Sequence, residues 1–146
     1  MRTQTKLIGI GTIVIVMLAG IIVLVVFDDV EGPLIYEVNI LPVSPAPGDR
    51  ISVTIYAIDP SGVSRAHLSW SINGEEWASK DMSFFACLCI AGGRWVGDFG
   101  PVQEGDSLDF YATAYDSSPF TNPADTQTFS FEIGPLPAVE NSNMSA

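Results

Sequence analysis

Twenty-one consecutive residues, Leu7 to Phe27, contain no charged side chain and no proline. Wound as a helix, such a run spans roughly 31 Å, the thickness of a bilayer's hydrocarbon core. Arg2 and Lys6 precede it, and Asp28, Asp29 and Glu31 follow it. Positive charge stays cytoplasmic during insertion. The expected topology is therefore a cytoplasmic leader over residues 1–6, a transmembrane signal anchor over 7–27, and everything beyond it outside the cell. A cleaved secretory peptide is the rival reading, but its apolar stretch is about 7–15 residues long and ends in a small-x-small site. Ala19-Gly20, the only small pair, has Leu18 in the wrong place and seven more apolar residues after it. A pilin-type leader would need a processing site after Lys6, and none is convincing.

Charge narrows the partners. Beyond the anchor stand all 17 acidic residues against Arg50, Arg65, Lys80 and Arg94, a net charge of −13. Such a surface repels nucleic acid and anionic lipid. It suits solubility, a salty exterior or a cation such as calcium. About a hundred residues make one domain.

From Leu34 the pattern becomes the apolar–polar alternation of half-buried strands. Tyr36, Val38 and Ile40 alternate with Glu37 and Asn39; Ile51, Val53, Ile55 and Ala57 share a face; Ala66, Leu68, Trp70 and Ile72 oppose Arg65, His67, Ser69 and Ser71. Asp59-Pro60-Ser61-Gly62 and Asn73-Gly74 are turn signals. Further strands are expected over Ser79–Phe84, Arg94–Phe99 and Leu108–Ala114, and Phe129, Phe131 and Ile133 complete the set. The spacing predicts an all-β domain of about seven antiparallel strands, packed as two sheets face to face. A 28–33 linker, a 34–134 sandwich and a disordered 135–146 tail complete the organisation.

Several of these residues carry a resemblance. Ala66-x-Leu68-x-Trp70-x-x-Asn73-Gly74-x-x-Trp77, then Met82, Arg94-Trp95, Phe99-Gly100-Pro101 and Gly105-Asp106-x-Leu108-x-Phe110-Tyr111-Ala112-x-Ala114-x-Asp116 resemble the immunoglobulin-like and fibronectin type III-like modules of prokaryotic cell-surface proteins. The resemblance implies an immunoglobulin-like antiparallel β-sandwich used as a spacer, adhesion unit or accessory domain. Fold alone does not assign a function. The paired cysteines of antibody domains are missing, so Trp70 is expected in the core with no disulfide beneath it.

Cys87 and Cys89 are the only cysteines. In a strand their Cα atoms would stand about 6.6–6.8 Å apart, at the limit of disulfide reach. Free structural thiols lead this reading, ahead of a strained or loop-borne disulfide, intermolecular bonds and metal or redox chemistry. The stretch Phe84-Phe85-Ala86-Cys87-Leu88-Cys89-Ile90-Ala91 is apolar on both faces. It is either sandwiched within the domain or exposed to a partner or a membrane surface. Phe84, Phe85, Cys87, Leu88 and Cys89 are the candidate partner-binding residues.

Asp59, Asp116, Asn122 and Asp125 are candidate calcium ligands, since the loops that carry them meet at one end of an immunoglobulin-like sandwich. The plainer reading is that Asp makes good turns. No other cofactor is expected. His67, the single histidine, reads as solvent-facing, no phosphate loop opens a helix, and no catalytic residue is assigned. Asn143-Met144-Ser145 fits a glycosylation sequon.

The sequence thus points to a non-enzymatic, membrane-anchored extracytoplasmic module. It contacts lipid through Leu7–Phe27 and neighbouring membrane or surface proteins through its domain. The alternative is a calcium- or carbohydrate-binding module, with Trp77 or Trp95 as a stacking platform.

Overall fold

The computed structural model describes residues 30–137, together with Ile15 and Met17. The expected anchor over 7–27, those two positions apart, and the expected disordered tail beyond residue 137 lie outside the described residues. Among the described residues no helix is long and apolar enough to cross a membrane.

Among the described residues nine strands form: β1 (Leu34–Leu41), β2 (Ile51–Ile58), β3 (Val63–Ile72), β4 (Ala78–Asp81), β5 (Ser83–Ala86), β6 (Gly93–Phe99), β7 (Ser107–Asp116), β8 (Pro123–Asp125) and β9 (Phe129–Glu132). One sheet has the order β1-β2-β6-β5; the other has β4-β3-β7-β8, with β9 also on β7. All pairings are antiparallel.

The expected alternation is the reason for the layers. Ile51, Val53, Ile55 and Ala57 of β2 face Ala66 and Leu68 of β3 and Leu108, Phe110, Ala112 and Ala114 of β7, all buried. Each large side chain removed from water here contributes about 1.5–3 kcal/mol. Phe110 is the hub, with ring centroids 5.2 Å from Phe99, 5.6 Å from Phe129 and 5.7 Å from Phe131. Trp70 stacks on Phe99 at 5.4 Å.

The strand count exceeds the expected seven for two reasons. The stretch 78–86 is two strands in different sheets, because Met82 turns inward between them, buried, with its N–H donated to the Ala66 carbonyl at 2.8 Å. Pro123–Asp125, expected as loop, pairs with Thr113–Tyr115. Proline is tolerated there because it opens a short strand. Ser71, expected outward, is buried and donates its hydroxyl to the Glu75 carbonyl at 2.7 Å. Asn73 and Gly74 take φ of 56° and 72°, the conformation a tight hairpin turn requires.

At the start of β1 the chain is held closely. A side chain on Gly32 would overlap the Pro123 carbonyl, and Pro33 is buried. Across the open edge between the sheets Lys80 of β4 reaches Asp98 of β6, which Arg50, beside β2 in the same sheet as β6, also holds. Their hydrogen bonds, Lys80 first, hold the Asp98 carboxyl below its ordinary value.

Candidate functional site

The strand directions set which loops are neighbours. β1 begins, β2 ends, β6 begins and β7 ends at one end of the sandwich. The register pairs Leu34 with Ile58 and Ile55 with Trp95. Continued by three residues, it brings Gly92 level with Leu34, so the β5–β6 hairpin tip projects past the point where the chain joins the domain.

The tip is built from short local bonds. Phe84 pairs with Trp95, Phe85 with Arg94 and Ala86 with Gly93. Cys87 N–H donates to the Gly92 carbonyl at 3.1 Å, and Gly92 N–H to the Cys89 carbonyl at 2.9 Å. Gly92 has a φ of 68°, which a side chain would disfavour. Cys87 and Cys89 form a disulfide. The expectation of free thiols is thereby corrected: it assumed strand spacing, but the chain leaves the strand at Ala86 and turns. Curvature brings the two Cα atoms to 5.3 Å, within disulfide range.

With the sulfurs and main chain bonded inward, the apolar side chains face out. Leu88 is fully exposed, Ile90 is 87% exposed, and Phe84 and Phe85 are about half exposed. Of the two possibilities for this stretch, the structure selects exposure. Phe84 lies over Gly93, where any Cβ would collide with its ring, and its centroid is 5.1 Å from Trp95. Beneath it the two sheets part into an open groove of about 740 Å³, lined by Leu34, Ile58, Val63, Phe84, Ile90 and Trp95 among others. Of the five candidate contact residues, Phe84, Phe85 and Leu88 present their side chains, while Cys87 and Cys89 brace the turn. Ile90, inside the apolar stretch though not among the five, joins the same surface, and so does Leu34, which was missed because alternation does not mark which strand ends lack a covering layer.

The four candidate calcium ligands lie towards this same end, where Ser117 N–H meets the Gly62 carbonyl at 2.9 Å. Their side chains are engaged with different partners. Asp116 is fully buried and accepts from Asn122 N–H at 2.7 Å, Asn122 Nδ2 at 2.8 Å and Ser118 N–H at 3.3 Å. Burial alone would raise its pKa, but the Asn122 and Ser118 hydrogen bonds outweigh that and hold it below the ordinary value. Asp125 accepts from the Thr113 hydroxyl at 2.5 Å, and Asp59 from Ser61 N–H at 2.8 Å. Asp116 and Asn122 are together; Asp59 caps the β2–β3 turn, and Asp125 bonds across β8 to Thr113. Among the described residues no group of three or more His, Cys, Asp or Glu is placed to hold a metal.

A second surface is the outer face of the β4-β3-β7 sheet. Trp77, half exposed, sits 5.3 Å from Tyr111, and Arg65 lies 4.4 Å from the centre of the Tyr115 ring. His67 Nδ1 is 2.7 Å from Asp81 and meets Tyr115 edge-on. Trp95 is half-buried, its ring centroid 5.1 Å from that of Phe84.

No family model and no curated protein sequence matches the chain. Solved structures are similar in fold. The cycloalternan-forming enzyme from Listeria monocytogenes, crystallised with a pentasaccharide substrate, matches with a TM-score of 0.52 at 16% identity, over 65% of this chain and 9% of that one. The purple acid phosphatase isolated from yellow lupin (Lupinus luteus) seeds gives 0.50 at 9% identity, over 73% and 20%. A bromine derivative of BhCBM56 gives 0.49 at 13% identity, over 69% and 98%. Against the two enzymes the chain spans only a small part of their length. The shared property is the fold, two antiparallel sheets packed as a β-sandwich module.

Proposed function

We propose that this chain is a membrane-tethered, extracytoplasmic β-sandwich of immunoglobulin-like topology that works by contact rather than catalysis, with the β5–β6 hairpin as its contact point. The single observation that carries this is the hairpin tip: a turn closed by a disulfide, with its apolar side chains outside. Exposed contiguous apolar surface is costly to keep and marks an interaction site. The two sheet orders correspond to the ABED and CFG sheets of immunoglobulin domains, extended by one edge strand beside the C strand. The uncharged run Leu7–Phe27 and its flanking charges support the tether and its direction. A disulfide also fits an oxidising exterior, since cytosolic thiols are kept reduced.

Membranes from cells expressing the tagged full-length protein test this reading. The expected result is retention through alkaline carbonate washing, and digestion of the C-terminal tag by protease added outside intact cells. Release by carbonate, or protection of that tag, would remove the tether or its orientation.

A second reading is carbohydrate contact at Trp77 and Tyr111, whose outward face is flanked by Ser69 and Ser79. A sandwich segment within a pentasaccharide-bound enzyme sits easily beside it, though that likeness is one of fold. Retardation of the protein in polysaccharide-loaded native gels, lost in Trp77→Ala, would favour it over the hairpin.

A further inference from the structure

We infer that the β5–β6 hairpin tip dips into the bilayer interface, a second membrane contact that fixes how the domain stands on its own tether. This rests on the tether reading above and names the partner of that contact as lipid.

Reach comes first. Gly32 is packed against Pro123, and Phe27 ends the uncharged run, so only residues 28–31 lie between membrane segment and docked chain. Four extended residues span at most about 14 Å. The end of the sandwich that carries β1's start is therefore held close to the headgroups, and the hairpin tip projects from that same end, past Leu34.

Chemistry comes second. No charged residue occurs from Met82 to Gly93 in a chain whose outer part is otherwise strongly acidic. The first charge after the tip is Arg94, exposed, at a position where a guanidinium meets lipid phosphate. Amphipathic surface elements bury their apolar side about 5–10 Å into the headgroup–acyl boundary, the depth of one short turn. Glu31 and Asp59 line the groove behind the tip, not the tip itself. Because the tip is neutral and the domain acidic, the contact requires no anionic lipid.

Placement favours lipid over a protein partner at this spot. Leu88, Ile90, Phe84 and Phe85 form one uncharged, exposed patch at the end of the sandwich that the tether holds nearest the membrane. Two protruding aliphatic side chains suffice when the tether already holds the domain at the membrane, because the second contact is then intramolecular.

The test uses the full chain in phosphatidylcholine vesicles. Leu88→Trp is compared with Val43→Trp at the opposite end, both positions exposed in the native protein, against the shared background of Trp70, Trp77 and Trp95. Ile90→Trp serves as a second tip probe if Leu88→Trp fails to fold. The expected result is a blue-shifted added emission for the tip tryptophan, lost when phosphatidylcholine with brominated acyl chains replaces the ordinary lipid. Val43→Trp should show neither change. A tip tryptophan that emits as in water and is not quenched, in protein that still floats with vesicles at alkaline pH, overturns the inference and leaves the tether standing. Failure to float overturns both. A tip unquenched in vesicles yet shielded in native membranes assigns the hairpin to a protein neighbour and overturns the lipid contact.

Discussion

The β5–β6 hairpin at one end of this sandwich and the turns at the other solve the same problem, turning strands back on themselves, by opposite means, while the Asp59 and Asp116 turns beside the hairpin keep carboxylate caps. At the end farther from the start of β1, carboxylates and amides tie the turns. Asn73 Nδ2 donates to Asp106 at 3.0 Å and its carbonyl oxygen accepts Ser107 N–H at 2.9 Å. Asp106 also accepts Gln103 N–H at 2.7 Å, and Asp49 accepts Ala46 N–H at 2.9 Å. Glu75, Glu76 and Glu104 stand exposed beside them. The turns there are capped by polar groups, although Leu41 and Val43 also stand exposed at that end. At the other end the β5–β6 hairpin uses no charged side chain; a disulfide and main-chain bonds close it, and Leu88 and Ile90 face out. The lesson is that turn closure and surface chemistry are separable. A chain that needs a greasy tip gives up carboxylate caps and stitches the turn covalently.

The largest expected effect tests whether the ends share one core. Phe110 touches Phe99, Phe129 and Phe131, and is completely buried. Phe110→Ala should cost about 3–5 kcal/mol in urea unfolding. Hydrogen exchange should then accelerate at both ends together. Acceleration at one end only would mean that the ends unfold as separate units, and the comparison would be between two half-domains.

Next is the polar end. Asn73→Ala removes two side-chain hydrogen bonds and places a Cβ-bearing residue without a local partner at positive φ. The expected loss is about 2 kcal/mol by urea titration, since each bond is worth about 1 and the left-handed backbone a little more. An unchanged midpoint would show that these caps decorate the turn without holding it. At the apolar end, the matching experiment is Cys87→Ser with Cys89→Ser. Closing a three-residue loop restricts the unfolded chain little, so the loss should not exceed about 1.5 kcal/mol. A larger loss would mean that the disulfide positions Phe84 over Gly93 as well as closing the turn.

Much of this was legible before any coordinates. Ile51, Val53, Ile55 and Ala57 alternate in sequence and do form one buried face. Asn73-Gly74 announces its hairpin, because only certain residues take positive φ at both positions. Met82 was opaque: alternation is already broken at Lys80-Asp81 and at Phe84-Phe85, and nothing in a period of two marks a strand that changes sheets. The Cys87–Cys89 bond was opaque because spacing fixes a Cα separation only if the backbone conformation is known. Asp116 was legible as a strand-ending aspartate, but not as a fully buried one whose partners are Asn122 and Ser118. The exposed tip lies between these cases. Its composition was plain, while its exposure depended on β5 being an edge strand.

A smaller effect lies near the polar end, at Asp98. Lys80 and Arg50 lower its pKa in the folded state from 3.8. A depressed carboxylate contributes stability above its unfolded pKa and loses it as pH falls through the folded value. The acid limb of stability below about pH 4 should therefore flatten in Asp98→Asn. The side chain is 41% exposed, so solvent screening holds the difference at neutral pH to about 0.5 kcal/mol. An acid limb unchanged by Asp98→Asn would hand the pH dependence to Asp116, whose carboxyl is lowered by neutral donors alone.

The smallest expected effect on stability is the one that separates the ends most sharply. Leu88 is fully exposed, so Leu88→Asp removes no packing and should move the urea midpoint by less than about 0.5 kcal/mol. A charge there nevertheless contradicts everything the tip offers, because an aspartate at an interface must carry its hydration with it. The expected signature is thus an unaltered fold with an altered disposition at the membrane. In vesicles of phosphatidylcholine the full chain would still float, but protease would cut the β5–β6 loop where the native tip is shielded. A polar-end control, Glu76→Leu, should leave both measurements where they were. If Leu88→Asp instead unfolds the domain, the tip is part of the structural core, and the division between turns capped by polar groups and a hairpin built for contact is wrong.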